Sequence, residues 1–132
     1  MKIKATLVNR KEQHQVRVTT NEKSQVIASP GKAEGGSQVN GGELLFLALA
    51  TCFCNDLYRE AKKRGIPVHG VEVEVTGDFD AEGAAAKNIT YRVKVDAEAS
   101  DQALQDLIAH TDRVTEIQNT VREATPVKLV TS

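Results

Sequence analysis

Two thiols one residue apart, Cys52 and Cys54, are the strongest nucleophiles this chain offers. A thiol does chemistry as the thiolate, so the question is what would ionise it. Cys52 lies in the middle of a helical stretch, beyond the reach of the positive N-terminal dipole. Asp56 follows at i+4 on the same helix face, and a carboxylate there raises a thiol's pKa. A reactive Cys52 therefore needs a cation from another part of the fold. Arg10 and Arg17 are two of the chain's guanidiniums, and Glu43 is a carboxylate suited to positioning an arginine. Each also has an ordinary role: core filler for the cysteines, helix cap for Glu43, surface charge for the arginines. Residues i and i+2 on a helix point about 200° apart, so Cys52 and Cys54 cannot bridge without strain, nor can they grip zinc together. No metal or cofactor is expected. The histidines form no Ser/His/Asp spacing, and no phosphate-binding glycine loop appears.

The element that must position these groups runs over residues 40–65, NGGELLFLALATCFCNDLYREAKKRG. Asn40 and Glu43 have the spacing of a capping box, Lys62, Lys63 and Arg64 suit the last turn, and Gly65 with Pro67 stops the helix. About two dozen residues make a helix of about 36 Å. From Leu44 to Cys54 it is apolar on every side, which predicts burial on every side; from Asn55 onward Leu57 and Ala61 face inward and Arg59, Glu60, Lys62 and Lys63 outward. The apolar run is too short to span a membrane. One small domain has few elements with which to cover such a helix, and a second copy of the chain packed against it would do so.

Around the helix the pattern switches to period two. Residues 2–8 alternate with Ile3, Ala5 and Leu7 on one face, and residues 15–20 follow with Val16 and Val18 inward, the polar residues 9–13 forming the turn between them. Residues 24–28 make a third short strand. Residues 68–77 and 87–97 alternate again, with Val71, Val73, Val75, Ile89, Tyr91, Val93 and Val95 inward, which suits a second antiparallel hairpin with one wet face. Ser100 caps a second helical region striped by Leu104, Leu107, Ile108, Val114, Ile117 and Val121, broken between 111 and 115. Residues 126–130 read as a final strand. The whole predicts a single α+β domain over 1–132, with antiparallel sheets around a long central helix. With 17 basic and 18 acidic residues and 4% aromatics, there is no basic footprint for nucleic acid. The N-terminal MKIKATLVNR carries no secretory pattern, and two thiols without a disulfide framework suit a reduced, cytoplasmic setting.

The run Asn40-Gly41-Gly42-Glu43-Leu44-Leu45, followed by Ala48, Ala50 and Thr51-Cys52-Phe53, resembles the OsmC/Ohr family of osmotically inducible and organic-hydroperoxide-resistance proteins, as do Gly35 and Gly36 upstream. The resemblance extends over the order of elements along the chain. It implies an intertwined homodimer with active sites at the subunit interface. It matches Cys52 to the peroxidatic cysteine, Glu43 to the glutamate that orients an arginine, and Arg10, with Arg17 as the alternative, to that arginine. The family's second cysteine sits in a Cys-Pro-Val-Ser-Asn-like segment, and here Thr115 stands in its place at the head of Thr115-Glu116-Ile117-Gln118-Asn119. The usual disulfide cannot form. The resemblance thus implies reduction of organic hydroperoxides by Cys52, with the sulfenic acid resolved by an external thiol. Loss of the second cysteine keeps an alternative open: a non-catalytic dimer that binds a small apolar molecule at its interface.

Overall fold

The computed structural model describes residues 1–131. The chain divides into two compact units, Met1–Leu44 and a second that begins at Leu45. The first holds β1 (Ile3–Arg10), β2 (Gln13–Thr20) and β3 (Lys23–Ile27), an antiparallel sheet in that order. The first hairpin is tighter than the polar run 9–13 suggests: Arg10 is the last residue of β1 and pairs with Gln13. Asn21 turns the chain into β3 with a positive φ of 55°, a conformation its short polar side chain tolerates. The loop after β3 is tied back by Asn9, whose Oδ1 accepts from the Gly36 N–H at 3.0 Å and whose Nδ2 donates to the Gly36 carbonyl at 3.3 Å. Ile3 and Leu7, which the alternation assigns to a buried face, are 62% and 56% exposed in a single chain.

The long helix α1 spans Gly41–Lys63. Its start is the capping box expected from the sequence: the Asn40 N–H donates to Glu43 Oε1 at 2.9 Å and the Glu43 N–H to Asn40 Oδ1 at 2.7 Å. Its end is marked by Gly65 with φ of 65°, where a side chain would be strained. The buried residues of α1 are Leu49, Phe53, Asp56, Leu57, Glu60 and Ala61, a single stripe at helical spacing. One expectation is unmet by a single chain and another changes. Within a single chain the apolar first half is covered on one side only, since Leu47 is 60% exposed, and the rest of its surface is left for a second copy. Glu60, expected outward, is buried because His110 reaches it from another helix.

The second unit builds its core on that stripe. Strands β4 (Val68–Asp78) and β5 (Lys87–Ala97) pair antiparallel, with Val71 opposite Val95, Val73 opposite Val93 and Val75 opposite Tyr91. Val71, Val73, Tyr91, Val93 and Val95 pack against Phe53, Leu57, Ala61 and Leu107, all four of which are fully buried. The Phe53 and Tyr91 rings meet edge to face at 5.4 Å. Gly77 suits its place for a packing reason: a Cβ there would come within 2.7 Å of the Phe46 ring, which would have to shift. Helix α2 (Asp101–Val114) starts at Ser100, whose hydroxyl accepts from the Ala103 N–H, and α3 (Glu116–Arg122) follows after Thr115. These are the two short helices the break predicted. The final strand is not formed: residues 125–131 belong to no helix or strand and have no ladder partners, and Val127 and Leu129 are 97% and 94% exposed. A strand needs an edge to pair with, and the sequence pattern alone does not supply one.

Candidate functional site

Cys52 sits mid-way along α1, half-buried, where α3 begins. Its neighbours come from both helices. The thiol donates toward Asp56 Oδ2 at 3.7 Å on its own helix, as the i+4 spacing foretells, and toward Glu116 Oε2 at 3.8 Å. The backbone N–H of Ile117 points at the sulfur. Burial pushes the thiol above its ordinary pKa, and the Asp56 and Glu116 charges push the same way; the Ile117 N–H opposes them. Thr115, in the place the resemblance gives to a second cysteine, thus directly precedes the residues that touch the Cys52 sulfur. Thr115 itself is fully buried and donates to the Asp112 carbonyl at 3.1 Å.

Behind Cys52 runs a line of charged side chains. Asp56 is only 5% exposed. Its Oδ1 accepts from Arg59 Nη1 at 2.9 Å, and Arg59 Nε donates to Glu60 Oε2 at 2.9 Å. Glu60 also accepts from Lys63 Nζ at 3.0 Å and meets His110 Nε2 at 2.9 Å. The hydrogen bond from Arg59, then that from Lys63, holds the Glu60 carboxyl at about 2. Sequence spacing made Asp56 visible, but not Arg59 as its clamp, nor Glu116 and His110 as neighbours, because the last two arrive by tertiary packing.

Cys52 Sγ and the Asp56 and Glu116 carboxylates lie within 4.8 Å of one another. Each carboxylate faces the protonated thiol, and Asp56 is already bonded to Arg59, so the set is a hydrogen-bonded one. Cys54 lines a different, shallow hollow with Ala50, Thr51, Asn55, Val71 and Val73. Glu43 lies in the first turn of α1, with Oε1 committed to the cap. Arg10 and Arg17 belong to the first unit. Arg10 shares a polar concavity with Lys11, His14 and Lys32 at the β1–β2 turn, and Arg17 is exposed on β2 between Thr6 and Val26.

Beside the site is a cavity of about 130 Å³ lined by Leu49, Ile89, Tyr91, Gln118, Val121 and Arg122. Gln118 is buried; its Nε2 donates to the Leu49 carbonyl at 2.9 Å, while its Oε1 has no partner among the described residues. Asp112 ties the cavity's rim together, accepting from the Tyr91 hydroxyl and from Arg122 Nη2, the latter at 2.6 Å. No described helix is long and apolar enough to cross a membrane.

Solved structures share this fold at low sequence identity. An OsmC-like protein from Mycoplasma pneumoniae superposes with a TM-score of 0.64 at 15% identity, over 95% of this chain and 92% of that one. A protein from Psychrobacter arcticus described as a putative osmotic stress induced and detoxification response protein gives 0.61 at 13%, over 88% and 85%. An OsmC-like hydroperoxide resistance protein from a Jannaschia species gives 0.59 at 17%, over 96% and 89%. A comparison with curated protein sequences finds no significant match. The sequence model of the OsmC-like proteins matches residues 34–130, which takes in the whole of α1, both strands of the second hairpin and the two short helices. On that match, covering most of its length, this chain belongs to the OsmC-like protein family.

Proposed function

We propose that this protein reduces organic hydroperoxides, with Cys52 as the peroxidatic thiol and an external thiol resolving its sulfenic acid. The observation that carries this reading is the position of the sulfur. It is half-buried on α1, and the segment that follows Thr115 lies against it, through the Ile117 N–H and Glu116. A family member with two cysteines would need its second thiol in that neighbourhood. In this reading Arg10, or Arg17 in its place, supplies the cation, and Glu43 offers the carboxylate oxygen left over from its cap. The working unit is an intertwined homodimer in a reducing, cytoplasmic setting, without metal, cofactor, nucleic acid or membrane partner. The exposed apolar side chains of Ile3, Leu7, Leu47, Val127 and Leu129 support the dimer, since each is a large apolar group that a second copy of the chain would cover. Sedimentation at micromolar protein should show a dimer; a stable folded monomer would refute that part.

The test of the chemistry is intact mass after one equivalent of an organic hydroperoxide. A gain of one oxygen, captured by a sulfenic-acid reagent and absent in Cys52→Ser, is the expected result. A second reading has its own observation. Burial, and then the carboxylates of Asp56 and Glu116, push the thiol's pKa up, and the small cavity beside it offers apolar walls and, among the described residues, an unpaired acceptor on Gln118. That favours a non-catalytic protein binding a small apolar molecule. An unchanged mass under peroxide would decide for it.

A further inference from the structure

We propose that Asp56 is the proton acceptor for the Cys52 thiol and that it returns this proton to the departing oxygen of the peroxide. The inference rests on the peroxidatic reading of Cys52 and supplies what that reading lacks, a route for the proton.

Asp56 is an odd residue to find here if its role is to hold the fold. A buried carboxylate is costly unless it is fully bonded, and a carboxylate four residues from a nucleophilic thiol holds back ionisation. Yet Asp56 is 5% exposed and aimed with care. Arg59 grips Oδ1 at 2.9 Å, leaving Oδ2 toward the sulfur at 3.7 Å. Arg59 is in turn held by Glu60, and Glu60 by Lys63 and by His110 from α2. Four side chains, Arg59, Glu60, Lys63 and His110, thus fix the direction of one carboxylate oxygen. The groups facing the Cys52–Asp56 pair are Arg59 and Glu60 from α1, with Glu116 and the Ile117 N–H from α3.

The repulsion between charges is relieved if the proton stays within the pair, which leaves the ordinary difference in acidity between thiol and carboxyl for the attack to overcome. A thiol with a carboxylate and a thiolate with a carboxylic acid carry the same net charge. Glu116 therefore opposes both forms to a similar degree, whereas it opposes a second, separate negative charge fully. Burial raises the Asp56 carboxyl, which makes it a stronger base than an exposed aspartate, while Arg59 pulls the other way.

The step then balances. The thiol proton moves to Asp56 Oδ2, and the sulfur lone pair attacks the distal oxygen of the hydroperoxide. The S–O bond forms as the O–O bond breaks, and sulfur is oxidised by two electrons as the peroxide is reduced. The departing alkoxide takes the proton from Asp56. The products are a Cys52 sulfenic acid, an alcohol and the original Asp56 carboxylate.

The experiment compares two reagents on the whole protein across pH. Iodoacetamide needs only the thiolate, because iodide leaves without a proton. Cumene hydroperoxide needs the proton as well. In the wild type, alkylation of Cys52 should rise with pH, while peroxide oxidation should level off and then fall once the pair has lost its shared proton. In Asp56→Asn the removed charge should speed alkylation at neutral pH, while oxidation should slow by about a hundredfold. This opposite movement is the signature, since a merely structural role for Asp56 would move both rates together. If Asp56→Asn oxidises faster in step with its alkylation, the proposal is wrong. A wild-type oxidation rate that climbs with pH in parallel with alkylation overturns it as well, and that profile decides alone should the variant not fold. If Cys52 alkylates but hydroperoxide leaves it untouched at every pH, the peroxidatic reading itself has failed, and the proton route falls with it.

Discussion

Replacing Thr115 by cysteine tests the site's geometry in one step. Glu116 Oε2 lies 3.8 Å from the Cys52 sulfur and the Ile117 N–H faces it, so a thiol at the preceding position should reach a sulfenic acid formed there. In Thr115→Cys, one equivalent of organic hydroperoxide should produce a loss of two hydrogens, where the wild type should gain one oxygen. The cross-link would close a loop of about 63 residues, for which chain entropy gives about 4 kcal/mol of stabilisation at 25 °C. Against this stands the lost hydrogen bond from Thr115 Oγ1 to the Asp112 carbonyl, 3.1 Å in the wild type; removing it costs about 1 kcal/mol. The oxidised variant should therefore be about 3 kcal/mol more stable than the wild type, and the reduced variant about 1 kcal/mol less stable. Urea unfolding with and without dithiothreitol reads the difference directly. Persistence of a sulfenic acid beside a free thiol, or an oxidised form no more stable than the reduced one, would refute the placement of the α3 start against Cys52.

Other perturbations probe the core, the charges and the arginine. Leu107→Ala removes a fully buried side chain packed among Phe53, Leu57 and Ala61. The edge-to-face contact of Phe53 with Tyr91 limits collapse into the void, so unfolding should become easier by about 3–4 kcal/mol, measured in urea; a loss under about 1 kcal/mol would contradict the packing. Glu60 has its carboxyl held at about 2 in the fold against an ordinary 4.5. A lowered acid stabilises the fold above its unfolded pKa, so this contribution is present above about pH 4.5 and is lost as pH falls from there through about 2. Glu60→Gln should flatten the acid limb of the stability curve over that window, and an unchanged limb would remove the Arg59–Glu60–Lys63 contacts from the account. Arg10→Ala should slow alkylation of Cys52 at neutral pH more than Arg17→Ala does; the reverse order would move the assignment to Arg17, and no effect of either would remove the arginine from the mechanism.

What the sequence disclosed followed the range of the forces involved. Both ends of α1 were legible because caps are local: Asn40 and Glu43 bond across three residues, and Gly65 carries its own backbone preference. The facing of Asp56 toward Cys52 was legible for the same reason, being one helical turn. The burial of Glu60 was not, since His110 lies fifty residues away and nothing near Glu60 announces it. Glu116 escaped notice likewise, because only the docking of α3 brings it to the thiol. The segment 126–130 has the alternation of a strand but forms none in a single chain, as pattern encodes the capacity to pair and not the edge to pair with.

The contact of Gly77 with Phe46 carries a consequence for how this sequence can vary. The bare backbone of β4 is the floor on which the aromatic ring of α1 rests, and a methyl group there would overlap the ring edge at 2.7 Å. Gly77→Ala alone forces the ring out of place, and shrinking Phe46 alone leaves a gap over the glycine. Each change disturbs the contact without the other, and a side chain at 77 must in addition be accommodated by Ile89, whose Cγ1 would lie 3.2 Å from it. The two positions should therefore behave as a single inherited character: related sequences that carry a side chain at 77 should carry a smaller one at 46, and intermediates bearing one change should be scarce.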